Sequence, residues 1–119
     1  MKNEDAIQQE IYLAIRNKLE TRDSKIKGFV FSVPNGGCRN AIEALKLSKT
    51  GVRRGVSDLI VLMPSKEVLF LEVKTKIGKQ SDEQIKFENT VKSLGFQYHV
   101  VRDACDALKI IDNILTINK

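Results

Sequence analysis

The sequence has a single histidine and two cysteines, Cys38 and Cys105, which form no C-x-x-C pair. A zinc finger or a histidine-ligated metal nuclease therefore has too few ligands. The two thiols read as free cysteines of a cytoplasmic protein. No apolar run approaches the ~20 residues that span a bilayer, and Met1-Lys2-Asn3-Glu4-Asp5 lacks the apolar core of a signal peptide. The expectation is a cytoplasmic chain with no membrane partner. Internal repeats, low-complexity tracts and linkers are missing as well, so the 119 residues read as one domain, 1–119, with one core.

What is present is ordinary for a folded protein, 42% hydrophobic and 29% charged residues. A net charge of +5 and a pI near 9.3 favour an anionic partner such as nucleic acid. A merely solvated basic surface is the plain alternative.

The most informative stretch is Val68-Leu69-Phe70-Leu71-Glu72-Val73-Lys74-Thr75. Side chains alternate along a strand, so Val68, Phe70, Glu72 and Lys74 share one face, with Leu69, Leu71 and Val73 on the other. A strand this apolar is expected to be buried on both faces. Charge placed there must be paired or hold a metal. The same acid-x-lysine pattern recurs at Asp23-Ser24-Lys25, in a polar stretch, so the triplet by itself carries little weight.

Order along the chain supplies the context. Residues 4–20 read as a helix with Ile7, Ile11, Ala14 and Ile15 inward; Glu10 borders that stripe and can snorkel to water. Residues 29–33 read as a strand closed by Pro34-Asn35-Gly36-Gly37. A short helix over 39–47 follows, built on Ala41, Ile42, Ala44 and Leu45. Lys46, Lys49, Arg53 and Arg54 then form a basic, glycine-containing segment, either an exposed loop or a phosphate contact. Asp58 opens the strand Leu59-Ile60-Val61-Leu62-Met63, which a tight connection at Pro64-Ser65-Lys66 pairs with the first-described strand as an antiparallel hairpin. Asp58 then stands beside Glu72 and Lys74.

Lys76, Gly78 and Lys79 make a second basic loop. Ser81 and Gln84 fit a capping box at the start of a helix that runs to Leu94 and stops at Gly95. Gln84 also aligns with Phe87, Val91 and Leu94, so it is free to face the sheet instead. Residues 96–102 read as a strand parallel to that of Glu72, reached by the crossover helix. His99 within it reads as structural. The final helix, 103–117, is apolar around half its circumference, wider than the ~100° of a surface helix. It is either deep in the fold or part of a subunit contact.

Two carboxylates, Asp58 and Glu72, with the carbonyl of Val73, offer the hard oxygen ligands that Mg²⁺ prefers. Such a metal lowers the pKa of bound water and offsets charge building on phosphorus. Lys74 could orient or deprotonate that water or stabilise the transition state, and Glu10 could hold a second metal or a water. The structural alternative is a Glu72–Lys74 ion pair with Asp58 as a strand-end acid.

Asn35-Gly36-Gly37, Gly55-Val56-Ser57-Asp58-Leu59, Glu72-Val73-Lys74-Thr75, Gln80-Ser81-x-x-Gln84 and Gly95-x-x-Tyr98-x-Val100-Val101 together resemble the VRR-NUC domain, a branch of the PD-(D/E)xK nuclease superfamily. The resemblance covers residues 6–115. It implies an α/β, restriction-endonuclease-like αβββαβ core, a mixed sheet flanked by helices, followed here by a C-terminal helix. It implies Mg²⁺- or Mn²⁺-dependent hydrolysis of DNA phosphodiesters, with no nucleotide cofactor. By motif position Glu10, Asp58, Glu72, Lys74 and Gln84 are the catalytic set, and Asp58, Glu72, Val73 and Glu10 the metal ligands. Ser57 stands where the superfamily has proline, which leaves the aspartate ligand intact.

Small stand-alone members of the family look like phage replication and repair proteins, homodimers that act on branched DNA as Holliday-junction resolvases do. The implied location is then the cytoplasm of a bacterial host. The candidate DNA contacts are Asn35, Arg39, Lys46, Lys49, Arg53, Arg54, Lys76 and Lys79. The competing expectations are a nickase or exonuclease on linear DNA and a non-catalytic nucleic-acid-binding module.

Overall fold

A computed structural model describes residues 2–34 and 40–117. Helix α1 (Glu4–Leu19) starts where the Asn3 side chain accepts the Ala6 N–H at 2.9 Å. Its residues Ile7, Ile11, Ile15 and Leu19 recur every fourth position and are all buried. Strand β1 (Phe29–Ser32) follows, then α2 (Ala41–Lys49), β2 (Leu59–Leu62), β3 (Val68–Val73), α3 (Asp82–Ser93), β4 (Gln97–Val101) and α4 (Ala104–Ile117).

The four strands form one sheet in the order β1-β2-β3-β4. β1 and β3 each run antiparallel to β2, and β4 is parallel to β3, with Glu72 opposite Val100 and Val73 opposite Val101. A hairpin of β2 and β3 with a parallel strand beyond a crossover helix is the arrangement the order of elements predicts. The hairpin turn at Pro64–Lys66 holds Ser65 and Lys66 at φ of 64° and 66°.

The core lies on one side of the sheet. Val30, Leu59, Val61, Leu69, Leu71, Val73 and Val101 meet Ile7, Ile11, Ile15 and Leu19 of α1 and Ala107, Ile111 and Ile114 of α4. Each large aliphatic side chain buried there stabilises the fold by about 1.5–3 kcal/mol relative to exposure. Ile110 and Leu115 pack against the same core, leaving Ile117 exposed. The wide apolar stripe of α4 is thus used within the molecule and gives no argument for a subunit contact.

On the other side of the sheet, among the described residues, α3 packs over β3 and β4. Phe70 meets Phe87 and Phe96 edge-on at 5.7 and 5.8 Å, and Phe87 meets Tyr98 at 6.1 Å. Val91 is buried beneath the helix, whereas Leu94, expected on the same stripe, lies at its cap and is exposed. Helix α2 buries none of its residues. Among the described residues no helix is long and apolar enough to cross a membrane.

Candidate active site

The β2–β3 hairpin brings the head of one strand to the end of the other. Leu59 faces Leu71 across the ladder, so Asp58 and Glu72 meet at the next position. Asp58 is fixed at two points. Its Oδ2 accepts the Val73 N–H at 2.8 Å, and its backbone carbonyl accepts the Val33 N–H at 2.9 Å. Ser57 before it is fully buried and donates its hydroxyl to the Leu59 carbonyl at 3.4 Å, so serine serves in place of the expected proline.

Glu72 is only 1% exposed. Its Oε2 accepts from Gln84 Nε2 at 3.0 Å and lies 3.5 Å from the Lys74 ammonium. Lys74 is itself buried, its side chain 8% exposed. Glu72 Oε1 is buried without a hydrogen-bond donor from the described residues. Buried polar atoms are rarely left unmatched, because the lost hydration is not recovered. Burial, and then the charge and hydrogen bonding of Asp58, push the Glu72 carboxyl up to about 8 against the opposing pull of Lys74. Two ionised carboxylates so placed cannot donate to each other, so a proton or a cation must lie between them.

Gln84 satisfies both of its sequence-predicted roles at once. Its Oε1 accepts the Ser81 N–H at 2.8 Å while Ser81 Oγ accepts the Gln84 N–H at 3.2 Å, a reciprocal capping box. With the amide oxygen engaged there, only the NH₂ group remains to face Glu72. Deeper under α3, Gln80 donates to Glu88 at 3.0 Å and to the Tyr98 hydroxyl at 3.1 Å. Burial, then the Glu72 charge, raises the Tyr98 phenol above its ordinary range. His99 bonds Gln97 at 3.0 Å, and burial lowers its pKa, with Lys92 adding to the effect.

Glu10 is placed differently. It is exposed on α1 and pairs with Lys2, and none of its side-chain bonds among the described residues reaches Asp58 or Glu72. Sitting one position off the Ile7-Ile11-Ile15 stripe, it turns to water as a boundary residue can. Among the described residues no three histidine, cysteine, aspartate or glutamate side chains form a metal-binding cluster. The oxygen donors that do converge are Asp58 and Glu72. Two carboxylates and one unsatisfied buried oxygen fit a hard divalent cation whose other positions go to a backbone carbonyl, water or phosphate oxygen.

The basic candidates Lys46, Lys49, Arg53, Arg54, Lys76 and Lys79 are all exposed, and Asn35 and Arg39 lie outside the described residues. Gly55, at φ +80°, lays the Arg53–Arg54 loop on the first turn of α3. A Cβ there would sit 2.3 Å from the Glu83 carbonyl oxygen. Arg53, Arg54 and Lys86 consequently border one groove of about 320 Å³ along α3. A roomier groove of about 640 Å³, between α1 and β1, holds none of the converging groups. Lys86 went unremarked in the sequence, because it sits one residue beyond Ile85 on a helix assigned to the sheet; Gly55 stood in a motif there, but its purpose needed the tertiary contact.

A mixed sheet that places an aspartate at the head of one strand, beside a glutamate-x-lysine ending its hairpin partner, defines a nuclease-type α/β domain. The VRR-NUC domain family matches residues 4–104, and the chain belongs to that family. Two solved structures share the fold. One, a VRR_NUC domain protein, has a TM-score of 0.70 at 19% identity, covering 95% of this chain and 88% of the other. The second, a VRR_NUC domain, has a TM-score of 0.63 at 19% identity, covering 94% and 97%. None of the curated proteins compared matches the sequence.

Proposed function

We propose that this protein is a metal-dependent DNA endonuclease, selective for branched DNA and active as a homodimer. The observation that carries the reading is the buried, unmatched Glu72 Oε1 beside Asp58, at the sheet edge that also presents Lys74. A proton shared with Asp58 or a bound cation would match that oxygen, and two carboxylates converging at a strand end favour the cation. Asp58 and Glu72, with the Val73 carbonyl, would hold Mg²⁺ or Mn²⁺. The bound ion supplies a water acidic enough to attack phosphorus and neutralises charge on the phosphoryl oxygens.

The remaining work falls to the protein's own groups. Asp58 is kept in place beside Glu72 by the Val73 N–H bonded to its Oδ2. Gln84 holds Glu72 Oε2 through its NH₂ and thereby fixes which oxygen stays open. Lys74, anchored in the strand by its N–H to the Val101 carbonyl at 3.0 Å, sets an ammonium where negative charge develops in the transition state. Arg53, Arg54, Lys76 and Lys79 grip phosphates without reading bases, which suits selection by DNA shape.

The dimer rests on surfaces without a partner. Ile42 and Leu45 of α2 are 68% and 58% exposed, and Phe29 and Leu62 lie exposed on the half of the sheet that α3 leaves bare. Large apolar side chains left this exposed are the candidate surfaces for association. A two-fold pair would also bring two cleavage sites to the opposed strands of a junction.

The test is a panel of four-way junction, flap, nicked, single-stranded and linear DNA, each with Mg²⁺, Mn²⁺ or EDTA. The reading expects junction cutting that EDTA abolishes. Cutting confined to linear ends would make the protein an exonuclease. Binding without cutting under every metal would make it a non-catalytic module.

A further inference from the structure

One strongly placed cation takes no part in the site as described. Arg102 follows β4 at the register position beside Lys74, and a single guanidinium nitrogen, Nη1, reaches three backbone carbonyls. They belong to Thr75 at 2.6 Å, Gly78 at 2.9 Å and Lys76 at 3.2 Å. All three lie in the turn that leaves β3 directly after Glu72-Val73-Lys74. The turn is closed by Gly78 N–H donating to the Thr75 carbonyl at 3.1 Å. Charge-assisted bonds of this type are about twice as strong as neutral ones, and converging carbonyl dipoles repel one another unless a cation gathers them.

The turn in turn packs on Lys74. A Cβ on Gly78 would sit 3.0 Å from Thr75 Oγ1 and 3.5 Å from Lys74 Cδ, so the glycine backbone lies over the lysine stem. Arg102 itself is held from the other side, its N–H donating to Asp106 Oδ2 at 3.0 Å in the first turn of α4. A chain of contacts therefore runs from α4 through Arg102 and the 75–78 turn to the Lys74 side chain.

We propose that Arg102 is a positioning residue for Lys74: by clamping the 75–78 turn it folds that turn over the lysine stem and sets the ammonium against Glu72. The guanidinium is committed to carbonyls, which sets it apart from the exposed Arg53 and Arg54. The same turn presents Lys76 and leads through Lys79 to Ser81, so Arg102 also fixes where the strand hands over to the helix that carries Gln84. Lysine carries the charge and the donors but on a shorter, more flexible stem, so it replaces the arginine only in part.

The part of this inference that concerns catalysis rests on the nuclease reading; the structural part does not, and the experiment separates them. The full chain and its Arg102→Ala, Arg102→Gln and Arg102→Lys variants are treated with limiting acetic anhydride, and lysine labelling is followed by peptide mass spectrometry. Lys74 should be protected in the wild type. Its labelling should rise severalfold in Arg102→Ala and Arg102→Gln, partly in Arg102→Lys, while Lys92, paired with Glu88 on α3, serves as the unchanged reference.

In cleavage assays the same variants should lose kcat by roughly 10- to 100-fold, the scale of a misplaced catalytic group. Metal-free DNA affinity and its salt dependence should change little. Unchanged Lys74 labelling in both Arg102→Ala and Arg102→Gln overturns the proposal. A loss confined to KM and restored by Arg102→Lys also overturns it, since that marks a phosphate contact. If the wild type cuts no DNA, the nuclease reading falls and the labelling still decides the role of Arg102.

Discussion

Glu72 carries the clearest electrostatic consequence of its burial. Its carboxyl titrates near 8 in the folded protein against 4.5 in an exposed chain, so the folded state binds that proton more tightly than the unfolded state. Stability from this group is complete below pH 4.5 and is lost as pH rises through about 8. Without metal, Glu72→Gln should therefore stabilise the protein at pH 8 to 9 by roughly 1–3 kcal/mol, the cost of a buried polar group left unmatched. Near pH 4.5 the two should melt alike. Mg²⁺ or Mn²⁺ should raise the melting temperature of the wild type at pH 8 and leave Glu72→Gln unmoved. The positions of Glu72 and Lys74 were legible from strand alternation, and that of Asp58 from the hairpin. The unmatched Oε1 was not, because it depends on which donors approach each oxygen, and spacing carries no such information. Glu10 shows the same limit from the other side: its motif position marks it as an acid of the site, yet its bonds lead to Lys2.

At the level of elements, α3 has two duties, and Ser81 joins them. Ser81→Ala removes the hydroxyl that accepts the Gln84 backbone N–H, worth about 1 kcal/mol of stability, and loosens the first turn of α3, from which the Gln84 side chain reaches Glu72. Cleavage should fall more than stability does. An Asn3→Ala variant, which removes the side chain bonded at 2.9 Å to the Ala6 N–H at the start of α1, should lower stability to a similar degree and spare cleavage. Melting curves set beside initial rates for the two variants check this. The capping motif was readable in the sequence because its residues are three apart. The bond from Gln84 to Glu72 spans twelve residues and needed the crossover to bring helix and strand together. Helix α4 shows where periodicity stops: its broad apolar surface fits either a deep position or a subunit contact, and only the fold shows Ala107, Ile111 and Ile114 in the core. Conversely α2, which reads as an ordinary amphipathic helix, buries none of its residues and leaves Ile42 and Leu45 exposed.

Across the whole molecule the net charge is +5, and Arg53, Arg54, Lys76 and Lys79 are exposed on the two loops that flank the carboxylates in sequence. Arg53→Ala or Arg54→Ala should weaken DNA binding about uniformly across sequences and reduce the salt slope by about one each. Replacing Ile42 and Leu45 together by serine should shift a dimer to monomers in light scattering. Because neither residue is buried within the chain, its stability should change by no more than about 0.5 kcal/mol. The mixed-sheet topology was legible because one tight connection and one crossover helix leave few alternatives. Which surfaces stay bare was not, since the sequence does not say that α3 covers only half of the sheet.

The central claim is that the Asp58–Glu72–Lys74 edge hydrolyses DNA with a bound divalent metal. Single-turnover cleavage of a four-way junction by the wild type and Lys74→Ala, with metal-free binding measured on the same samples, tests it most directly. The account predicts cutting by the wild type with Mg²⁺ or Mn²⁺ and a loss of about 10²- to 10⁴-fold in Lys74→Ala, with junction affinity retained. Equal rates for the two proteins, or no cutting of any DNA by the wild type with either metal, would contradict it.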